Sequence, residues 1–322
     1  MSHGDAQGPV TLLDLHFQME GTVGAFLVRT AEGPILVETG PESLFGHLEA
    51  AIQAQGFALE DVRHVFVTHI HLDHAGAAWR LARHGARIYV HPAGASHLAD
   101  PSKLLGSAQR IYGEAMERLW GRLEPIPPER ITALEDGQVV RFGDTALQAL
   151  HTPGHAIHHI TYRLEDGLFT GDVGGIRIGH GPVIPPFPPP DIDLEAWLDS
   201  IGKMKATRPA YVYPTHFGIK RDGVAHFDSL EENLHRIADW VRDQVATGAP
   251  EEALVPLFQA FMHDLLAGHG LPESAIDEYE TADPAFMSVY GLARYWKKRG
   301  LGTPTPGPGG SGKAPGSTKE TP

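Results

Sequence analysis

The stretch VFVTHIHLDHAG, residues 65–76, places three histidines and one aspartate within six positions. It opens with the β-branched and aromatic residues of a strand and closes as the start of a helix, so His69 and His71 fall in the turn between them. Residues two apart in an extended segment point to the same side, and Asp73 and His74 at the helix start face the same space. The pattern predicts four side chains that converge at one edge of a sheet.

This combination of side chains is typical of a metal site. An isolated His-x-His pair is more often solvated or hydrogen-bonded than metal-binding. Burying three imidazoles and a carboxylate together without a cation would leave polar groups unpaired, at about 1–3 kcal/mol each. The chain contains no cysteine, so its ligands must come from His, Asp and Glu, a set that suits zinc, iron or manganese.

The composition narrows the choice of partners. The 322 residues include 26 basic and 40 acidic side chains, for a net charge of −14. Without a basic cluster, a long nucleic acid is not expected as a partner. The N-terminus lacks the features of a signal peptide, and no apolar run approaches the ~18 residues of a membrane span. We therefore expect a cytoplasmic protein that acts on a small-molecule substrate and does not bind a membrane. A homodimer is possible.

Short β-rich runs separated by turn residues fill the first two thirds of the chain. They lie at 10–15, 23–28, 34–38, 63–68 and 87–90, and then at 138–142, 145–150, 157–164, 168–170 and 210–213. Helical patterns cover 41–55 and 74–84. Together they predict two mixed sheets with helices outside them.

A proline-rich segment, GHGPVIPPFPPPD at 179–191, holds six prolines and is predicted to run as a stiff extended loop. Ile184 and Phe187 could serve there as apolar walls of a pocket. The segment leads into an amphipathic helix that Asp191 or Asp193 would cap.

The pattern of residues changes after Phe217, from short β-rich runs to helical stripes. Three amphipathic stripes, starting at Phe227, Leu254 and Phe286, predict helices whose apolar faces pack into a core. The predicted organisation is a domain at 1–225, a helical region at 226–300 and a disordered tail at 301–322, where there is little to bury.

The pattern Thr-His-x-His-x-Asp-His at 68–74 resembles the signature of the metallo-β-lactamase superfamily, in which three further ligands follow along the chain. His155 in HTPGHAIHH, Asp172 in LFTGDVGG and His216 in YVYPTHFG match those later positions, and each falls at the end of a predicted strand. The match covers about residues 10–220. It implies an α/β protein built as a four-layer αββα sandwich, to which the C-terminal helices are an appendage.

The resemblance also implies a role for each of seven residues. One metal ion would be bound by His69, His71 and His155, a second by Asp73, His74 and His216, and Asp172 would bridge the two. Two divalent ions are implied, zinc first, with iron and manganese as alternatives because His and Asp bind all three. Asp73 would also act in catalysis by orienting the attacking water or passing a proton to the leaving group.

Two bridged metal ions lower the pKa of a shared water toward neutrality, so the implied activity is hydrolysis by metal-activated hydroxide. Within the superfamily, the unbroken ligand set is most similar to that of hydroxyacylglutathione hydrolases and acyl-homoserine lactonases. A thioester, a lactone or a related ester is therefore the expected substrate. The alternatives are a phosphodiesterase acting on a small phosphate ester, a mononuclear iron dioxygenase of the same fold, and a binding module without activity.

One departure from the superfamily pattern is Glu38 in ILVETG, where relatives usually carry aspartate. Because the side chain of Glu38 is longer than that of aspartate, only its expected role in supporting the metal ligands from behind is in question. Six other histidines are expected to support the ligands or to lie at the surface: His151, His158, His159, His180, His226 and His235.

Overall fold

Two β-sheets face each other in this computed structural model, which describes residues 6–301. The first sheet has seven strands in sequence order: β1 (Ala6–Gln7), β2 (Val10–Asp14), β3 (Gly24–Thr30), β4 (Gly33–Val37), β5 (His64–Phe66), β6 (Arg87–Val90) and β7 (Ile131–Ala133). β1 to β4 pair antiparallel, whereas β4 to β7 pair parallel.

The second sheet has five strands: β8 (Val139–Phe142), β9 (Thr145–His151), β10 (Ile160–Leu164), β11 (Gly167–Phe169) and β12 (Tyr211–Tyr213). Its order is β12-β11-β10-β9-β8, and only β11 and β12 are parallel. Both sheets are mixed, as predicted.

Helices cover the outer face of each sheet. The first sheet is covered by α1 (Phe45–Ala54), α2 (Leu72–Ala75), α3 (Ala78–Arg83), α4 (Pro92–Ala99), α5 (Ser102–Tyr112) and α6 (Met116–Trp120). The second sheet is covered by α7 (Leu194–Ala206), α8 (Gly223–Ala246), α9 (Glu251–Gly268), α10 (Glu273–Ala282) and α11 (Ala285–Lys298). Within residues 6–301, no helix has both the length and the hydropathy to cross a membrane.

The alternation of side chains along the strands builds the layers. On β3, Phe26 and Val28 face the second sheet, while Ala25 and Leu27 face the helices outside the first sheet. Phe26 meets Phe169 of β11 across the gap, with ring centroids 5.4 Å apart. Because successive strand residues point to opposite faces, each sheet buries both faces. The predicted four-layer αββα sandwich is confirmed.

The helices differ from prediction in their boundaries. The predicted helix at 74–84 is two helices, α2 and α3, which break at Gly76. A Cβ on Gly76 would lie 2.9 Å from the Cα of Pro41, so the glycine allows two backbones to approach closely. The helices α4, α5, α6 and α10 were not predicted. α5 and α6 end directly before glycines with positive φ, Gly113 and Gly121.

The C-terminal helices share one apolar core with α7 and the second sheet. Phe227, Leu234 and Leu292 pack in the same cluster as Leu168 and Val212. The proposed division of the chain into 1–225, 226–300 and 301–322 remains a prediction. Of the predicted disordered tail only residue 301 is described, and the rest lies outside the described residues.

The proline-rich segment runs without regular structure and ends at α7, as predicted. Oδ1 of Asp193 accepts a hydrogen bond from the backbone N–H of Ala196 at 3.1 Å and so caps the helix. This segment lies between the second sheet and α11, where a Cβ on Gly291 would lie 1.7 Å from the carbonyl oxygen of Phe187.

Candidate metal centre

Three imidazoles and one carboxylate form the first ligand group. His69 and His71 follow β5, and His155 lies in the turn after β9. Nε2 of His69 lies 3.0 Å, and Nε2 of His155 3.1 Å, from Nδ1 of His71. Oδ2 of Asp172 lies 3.8 Å from Nε2 of His69 and 3.5 Å from Nε2 of His155. The four residues offer their ligand atoms to one point.

The second ligand group consists of Asp73, His74 and His216. Oδ2 of Asp73 lies 3.6 Å from Nε2 of His74 and 3.4 Å from Nε2 of His216. Oδ1 of Asp172 lies 3.1 Å and 3.5 Å from the same two nitrogens. Asp172 therefore directs one oxygen at each group, which is the arrangement that a bridging ligand needs. All seven residues predicted from the sequence come together here.

Two observations test whether these residues fit divalent metal ions. Ligand atoms about 2.0–2.1 Å from a tetrahedral zinc ion lie about 3.3–3.4 Å from one another, and the contacts within the two groups range from 3.0 to 3.8 Å. Nε2 of His74 and Oδ1 of Asp172 are buried without a hydrogen-bond partner. Such atoms cost about 1–3 kcal/mol each when unpaired, and a cation between them would satisfy both. The residues fit a pair of divalent ions.

Outer hydrogen bonds fix the orientation of the ligating rings. Nδ1 of His155 donates to the carbonyl of Pro186 at 3.0 Å, and Nδ1 of His216 donates to the carbonyl of Thr22 at 2.6 Å. A neutral imidazole that donates through Nδ1 carries its lone pair on Nε2. These contacts therefore direct Nε2 of each ring toward the ligand groups, as the outer partners of metal-binding histidines do.

Glu38 lies behind both groups. Its carboxylate accepts a hydrogen bond from Nδ1 of His74 at 3.2 Å and another from the hydroxyl of Thr68. Because that hydroxyl donates to Glu38, its oxygen is free to accept the Nδ1–H of His69 at 3.0 Å. Glu38 thus orients one histidine of each group. The longer side chain fills the supporting role that its departure from aspartate had brought into question.

Two glycine turns bring later ligands into place. Gly154 has a φ of +136°, and a Cβ there would lie 2.4 Å from the Cα of Trp197 on α7. Gly171 has a φ of +48°, and a Cβ there would lie 2.3 Å from Oγ1 of Thr68. Glycine adopts these backbone angles without steric cost and leaves room for both contacts. The ligands that follow directly, at 155 and 172, are therefore held close to the first sheet and α7.

The two groups differ in their protonation. Burial, reinforced by the neighbouring His155, lowers the pKa of His71 to about 3. Burial also opposes the charged form of His74, but the carboxylates of Asp172 and Asp73 outweigh it and hold the pKa of His74 well above its usual value. The pKa of His216 is raised in the same way. Burial thus favours the neutral, metal-binding form of His71, whereas the carboxylates favour the protonated forms of His74 and His216, so a metal that binds the second group competes with protons.

A cavity of about 1060 Å³, including space open to solvent, lies over both groups. His71, Asp73 and Asp172 form part of its floor. Apolar and aromatic side chains make up most of its walls: Phe17, Val23, Leu104, Ile111, Leu119, Trp120, Met287 and four prolines of the proline-rich segment. Walls of this kind suit an apolar group of a substrate.

The prediction that Ile184 and Phe187 line this cavity is wrong. Phe187 is fully buried and packs against Trp197, with ring centroids 5.3 Å apart. Ile184 faces a separate cavity among the C-terminal helices. Neighbouring residues of an extended segment point in opposite directions, so Pro186 and Pro188 face the cavity over the ligand groups instead.

Several side chains of the cavity were not predicted from the sequence. Tyr112 and Trp120 come from α5 and α6, and Asp283 comes from the short connection between α10 and α11. They reach the cavity from elements far apart in sequence and carry no motif. The amphipathic pattern of residues 102–112 was the only local signal available.

Two other histidines support the turn that carries Asp172. Nε2 of His159 accepts the backbone N–H of Asp172 at 3.4 Å, and Nε2 of His226 donates to the carbonyl of Gly174 at 2.7 Å. The other four lie outside both groups: His151 is partly buried, His158 is buried, and His180 and His235 are exposed.

A four-layer sandwich whose strand ends gather His and Asp residues around one shared aspartate defines a class of protein with a candidate two-part metal centre. Comparison with known families agrees with this class. A profile of the metallo-beta-lactamase superfamily matches residues 20–216. The chain belongs to that superfamily.

Individual relatives agree with the family. A metallo-beta-lactamase fold-containing protein of Sulfurisphaera tokodaii is 28% identical over 183 residues, which cover 56% of this chain and 67% of the relative. An atrochrysone carboxyl ACP thioesterase of Aspergillus fumigatus is 28% identical over 211 residues, which cover 64% of this chain and 40% of the relative. The chain thus spans less than half the length of that thioesterase.

A solved structure shows the same fold over most of the chain. A metallo-beta-lactamase family protein of Thermus thermophilus superposes with a TM-score of 0.62 at 22% sequence identity, covering 91% of this chain and 94% of the other. The superfamily is confirmed, and relatives named as thioesterases match the thioester part of the narrower resemblance. They do not single out the hydroxyacylglutathione hydrolases.

Proposed function

We propose that the protein is a dinuclear-metal hydrolase of a thioester, a lactone or a related ester, with thioesters as the first choice. The observation that carries the proposal is the shared carboxylate: each oxygen of Asp172 faces a separate ligand group on the floor of an apolar cavity. We expect zinc as the metal, with iron or manganese as alternatives because the same His and Asp ligands bind them.

The metal ligands and Asp73 would have different roles in such a reaction. Two divalent ions held there would supply a water of lowered pKa and a Lewis acid for the substrate carbonyl. Asp73 has 19% of its side chain exposed and lines the cavity, so its carboxylate faces the space that a substrate would occupy. We assign it the orientation of that water and the transfer of a proton.

The surroundings favour carbonyl substrates over phosphate esters. Among the lining residues, all within the described part of the chain, there is neither lysine nor arginine to pair with a phosphate. The thioesterase names among the relatives point to thioesters in particular. The complete second group supports two metal ions rather than the single iron of a dioxygenase.

A substrate panel on protein of known metal content tests the proposal. Thioesters, lactones, β-lactams and phosphodiesters are compared by kcat/KM, and a preference for a thioester or lactone is the expected result. Substituting His71→Ala should remove at least about 99% of the activity, because it deletes a ligand at the centre of the first group. His235→Ala, an exposed histidine on α8, is the matched control and should retain full activity.

Other outcomes would point elsewhere. One iron per chain together with oxygen uptake would replace the proposal with dioxygenation. Unchanged turnover in His71→Ala would show that the activity does not arise at this centre.

A further inference from the structure

The cavity over the ligand groups has one acidic side chain that belongs to neither group, that of Asp283. No lysine or arginine lines the cavity in the described residues. An acyl chain with a carboxylate would therefore enter an apolar space without a cation to pair with, and burying such a charge is costly. An uncharged acyl chain meets no such penalty.

The carboxyl of Asp283 is held in a fixed orientation. The hydroxyl of Ser288 on α11 donates to Oδ2 of Asp283 at 2.6 Å. The oxygen of that hydroxyl accepts the backbone N–H of Phe187 at 3.1 Å. The preceding residue, Pro186, accepts the hydrogen bond from His155. The proline-rich segment thus positions Asp283 and a ligand of the first group together.

The carboxyl of Asp283 lines the cavity. Burial raises the pKa of Asp283 to about 7, the hydrogen bond from Ser288 opposes that shift, and the carboxylates of Glu280 and Asp172 add to it. Across the cavity, burial raises the pKa of Tyr112, and the carboxylates of Asp73 and Asp283 raise it further. Asp283 therefore lies within electrostatic reach of both the ligand groups and the opposite wall.

No hydrogen bond within residues 6–301 uses the second oxygen, Oδ1, of Asp283, and the residue is partly exposed. This oxygen accepts a hydrogen bond in either protonation state of the carboxyl. Most of the surrounding wall is apolar. A hydroxyl group on an otherwise apolar chain would be the chemical complement of this arrangement.

We propose that Asp283 selects the acyl group of the substrate: it accepts a hydrogen bond from a hydroxyl on an uncharged acyl chain and disfavours chains that end in a carboxylate. This role rests on the proposed hydrolase function. Asp283 is a specificity-determining residue in this account, and it takes no part in metal binding.

Matched thioesters of N-acetylcysteamine test this selection. The set comprises octanoyl, 3-, 5- and 7-hydroxyoctanoyl, and 7-carboxyheptanoyl chains, each assayed with the metal-loaded full chain. We expect at least one hydroxylated chain to exceed the octanoyl chain in kcat/KM by about tenfold, the equivalent of one good hydrogen bond. The difference should reside in KM. The carboxylated chain should be the poorest substrate.

Three variants separate selection from a structural role. Asp283→Leu should bring the hydroxylated-to-octanoyl ratio to about 1 because no acceptor remains. Asp283→Asn keeps a carbonyl oxygen, so it should retain part of the preference and accept the carboxylated chain better. Ser288→Ala frees the carboxyl from its anchor and should give an intermediate ratio. Asp277→Asn, an exposed carboxyl on α10, is the matched control.

The outcomes distinguish the two levels of the proposal. Turnover of octanoyl thioester with no preference for any hydroxylated chain, or the same preference in Asp283→Leu at equal metal content, would overturn the role of Asp283 and leave the hydrolase intact. No turnover of any thioester by the metal-loaded wild-type protein would contradict the thioesterase proposal and the selection that rests on it.

Discussion

Glu38 connects the two ligand groups at the scale of single residues. It accepts hydrogen bonds from His74 directly and from His69 through the hydroxyl of Thr68. Its φ of 67° lies in the left-handed region, which a non-glycine residue adopts at a cost. The hydrogen bonds around Glu38 must compensate for that strain. The same hydrogen bonds fix the orientation of both ligand groups.

Substituting Glu38→Ala should therefore weaken both metal binding and the fold. It leaves the buried Nδ1–H of His74 and the hydroxyl of Thr68 without their acceptor, at about 1–3 kcal/mol each. Loss of an outer partner of this kind typically costs about 10–100-fold in metal affinity. Competition with a chromophoric chelator gives the affinity, and urea unfolding gives the stability.

The matched control for Glu38 is Glu60→Ala, which removes an exposed carboxylate. Its effect on stability should stay within about 0.5 kcal/mol, and metal affinity should not change. Equal metal affinity in the Glu38 and Glu60 variants would contradict the supporting role of Glu38.

The metal content should depend on pH in two steps. In the metal-free protein the pKa of His74 is raised by nearby carboxylates, whereas the pKa of His71 is lowered to about 3. As the pH falls toward about 4, protons compete with a metal for the second group first, while His71 in the first group stays unprotonated. The metal-to-protein ratio after dialysis should fall from two to one in this range. Loss of both ions together would contradict the difference between the groups.

The seven candidate ligands could be predicted from the sequence, because they lie in short motifs at the ends of predicted strands. The sequence could not show which atoms stand behind them. The carbonyls of Thr22 and Pro186 accept hydrogen bonds from two ligating rings, and a backbone carbonyl is present at every position. Only the tertiary structure selects these two.

At the scale of secondary-structure elements, the proline-rich segment packs closely against α11. Gly291 lies inside α11, and a Cβ there would lie 1.7 Å from the carbonyl oxygen of Phe187. Gly202 lies inside α7 with nothing within 4 Å of such a Cβ. The two glycines provide a matched pair of helical Gly→Ala substitutions that differ in what the new methyl group meets.

Gly291→Ala should destabilise the protein by about 1–3 kcal/mol because the methyl group would push the segment away from the helix. Gly202→Ala should stabilise it by about 0.5–1 kcal/mol, since alanine loses less conformational entropy in a helix. Thermal unfolding of both variants checks the signs. An equal gain in stability in both would show that the segment does not rest on α11.

The sequence predicted elements well where periodicity is long and poorly where it is short. The stripes of α8, α9 and α11 were visible because their helices have 24, 18 and 14 residues. The helices α4 and α6 have only 8 and 5 residues, too few for a helical repeat to stand out. Phe187 was wrongly predicted to line the cavity, because the sequence alone does not show which side of an extended segment faces the ligands.

The whole molecule should unfold as one unit, although the sequence predicts a boundary near residue 225. A single apolar cluster joins β11 and β12 to α7, α8 and α11. Asp283 and Met287 of the C-terminal helices also complete the cavity over the ligands. Elements that share one core lose their packing together.

Calorimetry of the metal-loaded protein should accordingly show one transition, and metal release should coincide with the loss of tryptophan fluorescence. Trp240 and Trp296 report on the C-terminal helices, and Trp79 reports on α3. A separate transition of the C-terminal helices at lower temperature, with metal still bound, would show that they form an independent unit.

The central claim is that two ligand groups sharing Asp172 act together in hydrolysis. Its most direct test is the titration of metal-stripped protein with zinc while octanoyl thioester hydrolysis and bound zinc are followed in parallel. We expect negligible activity without metal, a maximum at two equivalents per chain, and a maximum of one bound equivalent with little activity in His216→Ala. Full activity at one equivalent, or activity in the metal-stripped protein, would contradict that claim.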